Sequence, residues 1–204
     1  MPQSRDPSAT KARILAAAAD EFAEHGVAGA RYERVAAKAS ANKERIYAYF
    51  GDKTELFAAV LEDRMPALAA AHAPAPADPS RIGEHVGALF DFHAENPGLT
   101  RLAMWEALRY GADEVPASAR RAQHYGGHRQ TVASALGEGS TSDPGHLSFA
   151  LSSLVTWWFA APHLARFHID DDPLGPAAHA RQRAMVVDVS TRLLPTSDGG
   201  RLRR

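Results

Sequence analysis

Asn42-Lys43-Glu44-Arg45-Ile46-Tyr47-Ala48-Tyr49-Phe50-Gly51-Asp52-Lys53 is the stretch that decides the fold. Ile46 and Phe50 lie four residues apart and share one helical face. Lys43, Arg45, Tyr47 and Tyr49 point elsewhere and offer cations and phenolic hydroxyls. Gly51 can end the helix, because glycine enters the left-handed region without a Cβ penalty. Asp52, with Glu55 three residues on, reads as the cap of a new helix. Upstream, Val35-Ala36-Ala37-Lys38-Ala39 has the small apolar face of another short helix, and Ser40-Ala41 connects the two. Two short helices across a tight turn, the second bearing cations and tyrosines, outline a helix-turn-helix DNA reader.

The rest of the composition is compatible with that reading. A chain of 204 residues has room for one or two domains, and 45% hydrophobic residues excludes wholesale disorder. Cysteine is absent, which excludes disulfide and thiolate chemistry and fits a reducing compartment. Met1 to Thr10 lacks the apolar run of a signal peptide, and no run is long enough for a membrane helix. A cytoplasmic protein without a membrane partner is expected. The net charge of −1 hides a local bias. Between Gly26 and Lys53, the cations Arg31, Arg34, Lys38, Lys43, Arg45 and Lys53 outnumber the anions Glu33, Glu44 and Asp52.

Taken in order, the chain is helical throughout. Met1 to Asp6 reads as an arm. Ser8 or Thr10 can cap a first helix carrying Ile14, Leu15, Ala18 and Phe22 and ending at Gly26. From Lys53 to about Ala71 a helix carries Leu56, Phe57, Val60, Leu61, Met65 and Leu68, and Pro66 inside it implies a kink or a break. Ala73 to Pro79 is a proline-rich joint. Helices follow from Ile82 to about Asn96, from Leu99 to Tyr110, from Pro116 past Val132, from His146 to Ala161 and from Ala177 to Leu194, with a loop at Gly137 to Gly145 and a frayed tail from Pro195. No strand-like alternation and no internal repeat occurs. The expected fold is all-α, with a three-helix DNA-binding domain over residues 1–54 and a larger helical domain over 55–204.

The N-terminal stretch resembles the DNA-binding domain of the tetracycline-repressor-like (TetR) regulators. The resemblance covers roughly residues 10–60 and rests on four spaced elements in order. These are Phe22-Ala23-Glu24-His25-Gly26, Val35-Ala36-Ala37-Lys38-Ala39, Ile46-Tyr47-Ala48-Tyr49-Phe50 and Lys53-Thr54-Glu55-Leu56. It departs from the family in having Arg31 where Ser or Thr usually precedes the second helix, Ser40-Ala41-Asn42 for the usual Gly-Val-Ser turn, and Glu44 for a small residue. The resemblance implies that Arg31 and Tyr32 approach phosphate at a helix N-terminus. It also implies that Asn42 caps the recognition helix and meets phosphate, and that Lys43 and Arg45 reach base edges. Glu44 accepts from a cytosine amino group or, the preferred reading, turns away to pair with a cation. Tyr47 reaches phosphate, Tyr49 phosphate or a base methyl, and Lys53 clamps phosphate.

The second domain is read from its apolar faces. Phe149, Leu151, Leu154, Val155 and Trp158 cannot all face one core from one helix, so two faces need cover. A two-fold dimer, the family habit, supplies that cover, with Leu151, Leu154, Val155 and Trp158 as its expected contacts, and gives two heads for two half-sites of a double-stranded operator. Phe92, His93, Arg101, Trp105, Tyr110, His124, Phe149 and Trp157 are the candidate lining of a small-molecule effector pocket, aromatic with a few polar groups. A planar apolar effector with an acidic group for Arg101 is expected. His124 and His128, four apart, lack a placeable carboxylate or cysteine partner, so solvent-facing histidines are expected in place of a metal site. No cofactor is implied. No nucleophile elbow, phosphate loop or His-Glu-x-x-His occurs, so enzyme chemistry is not expected. The expected function is a dimeric repressor released from its operator by an effector; the alternative is a helical module that scavenges a ligand without reading DNA.

Overall fold

A computed structural model describes residues 6–72, 81–116, 118–136 and 140–193, without the side chains of Ser118, Arg120 and His124. The arm before Asp6, the proline-rich joint, the glycines of the 137–145 loop up to Gly139 and the tail lie outside the described residues. Within them the chain is helical, with no strand. The helices are α1 (Pro7–Gly29), α2 (Tyr32–Ala39), α3 (Lys43–Phe50), α4 (Lys53–Ala71), α5 (Ile82–Glu95), α6 (Pro97–Tyr110), α7 (Ser118–Leu136), α8 (Pro144–Ala160), α9 (Pro162–Ala165) and α10 (Pro176–Leu193). None of them is long and apolar enough to cross a membrane. The chain forms two compact units, one of residues 1–68 with 98–119, the other of 69–97 with 120–204. A boundary at residue 54 therefore falls inside α4, and α6 joins the N-terminal unit.

In the first unit, Ile14, Ala18 and Phe22 are fully buried on α1, and the Phe22 ring meets the edge of Phe57 of α4 at 5.1 Å. The first cap is Asp6, which accepts from Ser8 N at 2.9 Å; Ser8 and Thr10 sit inside the helix instead. Gly26 breaks α1 at φ 64°, ψ −179°. Helix α2 ends at Ser40 in the left-handed region, φ 50° and ψ 46°. There Ser40 N donates to Ala37 O and Ala41 N to Ala36 O, which satisfies the last carbonyls of α2. Asn42 then starts α3 by accepting from Arg45 N at 3.0 Å. A reciprocal capping box starts α4. Asp52 Oδ1 accepts from the N–H groups of Thr54 and Glu55, and Glu55 Oε2 accepts from Asp52 N at 2.8 Å. Helix α4 continues through Pro66 without the expected break. The carbonyl left without a donor belongs to Glu62, on an exposed turn that solvent can serve.

In the second unit, Ile82, Val86, Leu89 and Phe90 of α5 pack with Leu151, Val155 and Trp158 of α8, Val132, Ala135 and Leu136 of α7, and Ala178 and Val186 of α10. Leu151, Val155 and Trp158 recur at helical spacing and form the inner stripe of α8, so they stabilise the monomer and are not free for a dimer contact. The outer stripe of α8 carries Phe149, Leu154 and Trp157, which are 77%, 37% and 59% exposed. The short α9, opened by Pro162, was not expected from the sequence.

Candidate nucleic-acid interface

Helix α3 is held by buried Ile46, with Tyr49 and Phe50 half-buried, and offers the rest of its surface outward. Lys43, Glu44, Arg45 and Tyr47 are exposed. Tyr47 is 56% exposed and leans on the Tyr32 ring at 4.6 Å between centroids. Tyr32 itself is buried, and its hydroxyl donates to Gly51 O at 2.9 Å. Tyr32 therefore fastens the end of α3 to the start of α2, and its expected approach to phosphate is corrected to this supporting contact. Burial pushes its phenol up to about 12, so it stays a neutral donor. Tyr49 is half-buried, with Lys11 Nζ 5.2 Å from its ring centre.

The cations of this unit divide into two groups. Arg34 is bound to Glu21, whose Oε1 also accepts from Arg31 N at 2.8 Å. Burial disfavours ionised Glu21, but the Arg34 guanidinium and the Arg31 N–H outweigh it and hold the carboxyl below its ordinary value. Lys38 pairs with Asp20 at 2.6 Å and Lys43 with Glu33 at 2.5 Å. Arg31, Arg45 and Lys53 form no close ion pair among the described residues, although Arg31 lies near enough to Glu33 to act on its charge. Glu44 also shows no close ion pair, so its preferred pairing with a cation is not formed. Arg31 keeps its side chain out of the α2 cap and exposed. Arg13 donates to Ala39 O at 3.2 Å, a support that the sequence does not signal because the partner is a backbone carbonyl 26 residues away.

A helix whose outer face carries unpaired Arg45, Glu44 and Tyr47, opened by Asn42 and seated on α2 through a left-handed turn, is built to enter a groove. The family model "Bacterial regulatory proteins, tetR family" matches residues 14–60, and "Tetracyclin repressor-like, C-terminal domain" matches residues 81–192. The chain belongs to the TetR family. It is 43% identical over 175 residues to the HTH-type transcriptional repressor SCO4008 of Streptomyces coelicolor, covering 84% of this chain and 90% of that relative. The crystal structure of the putative transcriptional regulator SCO4942 from the same species superposes with a TM-score of 0.72 at 32% identity, over 92% of this chain and 99% of the other. The TetR regulator PfmR from Thermus thermophilus shares the fold, with a TM-score of 0.64 at 22% identity over 88% of this chain and 97% of that one. This TetR protein is a DNA-binding transcriptional regulator, and the ligand scavenger without DNA readout is not favoured.

TetR proteins carry an effector-binding and dimerising C-terminal domain, yet the residues expected to line its pocket do not converge within either unit. Arg101, Trp105 and Tyr110 belong to the first unit, and Phe92, His93, Phe149 and Trp157 to the second. Arg101 Nε donates to Ala23 O at 2.8 Å and Trp105 Nε1 to the same oxygen at 3.3 Å, so both pin the end of α1. Phe149 and Trp157 lie on the surface. Tyr110 is half-buried beside the Arg109 guanidinium. Phe92 is half-buried, and the side chain of His124 lies outside the described residues.

His93 is buried and stacks on Phe159 at 5.7 Å. It belongs to a group that the sequence did not assemble. His72 lies 6.0 Å from both His93 and His128, and His85 lies 5.4 Å from His128, between ring centres. His128 is 1% exposed, which corrects the solvent-facing expectation. Burial first, and the neighbouring imidazoles second, push His93 and His128 down to about 4 and lower His85. These residues come from α5, α7 and the turn after α4, so no single local pattern announces them. No three His, Asp or Glu side chains among the described residues are placed to hold a metal ion.

Proposed function

We propose that this TetR regulator is a homodimeric repressor whose α3 reads the major groove of a two-half-site operator and which a small-molecule effector releases. The observation that carries the reading is α3 itself, with Arg45 unpaired and exposed beside Glu44 one turn from an Asn42-capped start. Arg45 reads guanine through O6 and N7, and Glu44 accepts from a cytosine amino group. Tyr47, Asn42, Arg31 and Lys53 take phosphate, which fixes the register of the helix. Tyr49, shielded by Lys11, is secondary.

Dimerisation rests on the outer stripe of α8. Phe149, Leu154 and Trp157, with Leu164 of α9 and the nearby Phe167, leave a large apolar surface exposed. An open apolar groove of about 700 Å³, lined by Leu154, Trp157, Ala161, Leu164 and Ile169, runs beside them. A second copy covering this face would space two α3 helices for two half-sites. Repression is favoured over activation because the curated relative is a repressor. The protein works in the cytoplasm, where its operator is, and has no enzymatic activity.

Fluorescence anisotropy on duplexes from the DNA flanking its own coding region tests the reading. Tight binding to one duplex that weakens steeply with salt is expected. Equal binding to every duplex would refute sequence-specific reading.

A further inference from the structure

Lys43 opens α3 and Glu33 sits in the first turn of α2, and both side chains are exposed, at 45% and 62%. Their tips meet at 2.5 Å across the turn of the helix-turn-helix. The contact raises Lys43 and lowers Glu33, chiefly through the hydrogen bond between them. We propose that Glu33 is a specificity-determining residue that holds Lys43 away from DNA phosphate and so limits nonspecific binding. This rests on the DNA-binding reading of the unit.

The physical reason is counterion release. A free lysine that takes a phosphate releases a condensed counterion into bulk solution, which drives association. Lys43 is already neutralised by Glu33, so its move to phosphate leaves a bare carboxylate behind and gains little. The loss falls hardest on nonspecific binding, which consists almost wholly of phosphate contacts. Base contacts from Arg45 are untouched. The family resemblance places Lys43 at a base edge; the ion pair gives it another role in the free protein.

Glu33→Gln removes the charge and keeps the shape at an exposed position, with helicity checked by circular dichroism. The probe is a labelled random-sequence duplex titrated from about 50 to 300 mM salt. The variant is expected to bind on the order of fivefold tighter than the parent near 0.1 M salt, with a log K against log salt slope steeper by about 0.9, one phosphate contact's worth. In a Lys43→Ala background the same substitution is expected to change neither. An unchanged slope in the single variant overturns the proposal. So does an equal gain with Lys43 absent, which would mean that Glu33 repels phosphate directly. If the folded parent protein binds no duplex at 50 mM salt, the DNA-binding reading fails, and the proposal fails with it. If the parent binds and Glu33→Gln is silent, only the proposal fails.

Discussion

At the scale of single residues, two cations of the reading unit differ in kind although the sequence treats them alike. Arg45 is unpaired on the outer face of α3, whereas Lys53, half-buried, stands in the first turn of α4. Arg45→Ala is expected to cost about 1–3 kcal/mol on the operator and to relax preference at one base pair, read by anisotropy on a set of single-base operator variants. Lys53→Ala is expected to weaken specific and nonspecific duplexes alike and to reduce the salt slope by about 1. Ser40 carries a backbone cost that glycine would remove, since it holds φ 50° without being Gly or Asn. Ser40→Gly is expected to raise stability by about 0.5–1 kcal/mol in urea unfolding, the relief of the left-handed strain less the extra chain entropy of glycine, with the operator preference unchanged. A lower midpoint would mean that the Ser40 side chain itself stabilises the turn.

Among the elements, α8 shows how one helix serves two surfaces. Its inner stripe of Leu151, Val155 and Trp158 is buried against α5, α7 and α10, while Leu154 and Trp157 face outward. Val155→Ala should cost roughly 1–3 kcal/mol of unfolding free energy through lost burial and a cavity. Trp157→Ser together with Leu154→Ser should leave unfolding of the monomer nearly unchanged and shift sedimentation towards a monomer at micromolar concentration. If the outer pair leaves the sedimentation coefficient unchanged, dimerisation uses another face. Gly26 plays a comparable part in α1. Its positive φ breaks the helix, and a Cβ there would lie 2.9 Å from the Trp105 ring. The break leaves Ala23 O to the donors of Arg101 and Trp105.

For the whole molecule, the buried histidines set the response to acid. His93 and His128 titrate near 4 in the folded chain and near the ordinary 6.5 when unfolded. Above 6.5 both states are neutral, and these groups contribute no pH dependence. Between 6.5 and about 4 the unfolded chain takes up protons that the folded chain refuses, so stability falls as pH falls. Each imidazole accounts for up to ~3 kcal/mol across that window, less where the two are coupled. Thermal melts at about pH 7.5 and about pH 5 should show a lower Tm in acid, and His128→Leu should shrink the difference. An undiminished difference in the variant would place the acid response elsewhere.

The long helices, the caps at Asn42 and Asp52 and the helix-turn-helix are legible in the sequence by itself, because caps, turns and helical periodicity act over a few neighbouring residues; the one-turn α9 and the Asp6 cap are not. The sequence also determined the family, since four spaced elements agree in order. Which of several like residues stays available depends on contacts between distant segments. The tertiary structure sent Tyr32 to Gly51 O, Arg34 to Glu21 and Lys43 to Glu33, and left Arg45 free. It turned Leu151 and Val155 inward and Phe149 and Trp157 outward, although all are apolar residues of one helix. It moved Arg101 and Trp105 from an expected pocket to the end of α1, and it gathered His85 and His93 of α5 with His72 and with His128 of α7. Periodicity says which residues share a face; which face meets a neighbour, and which charge meets a partner, depends on contacts between segments far apart in the chain.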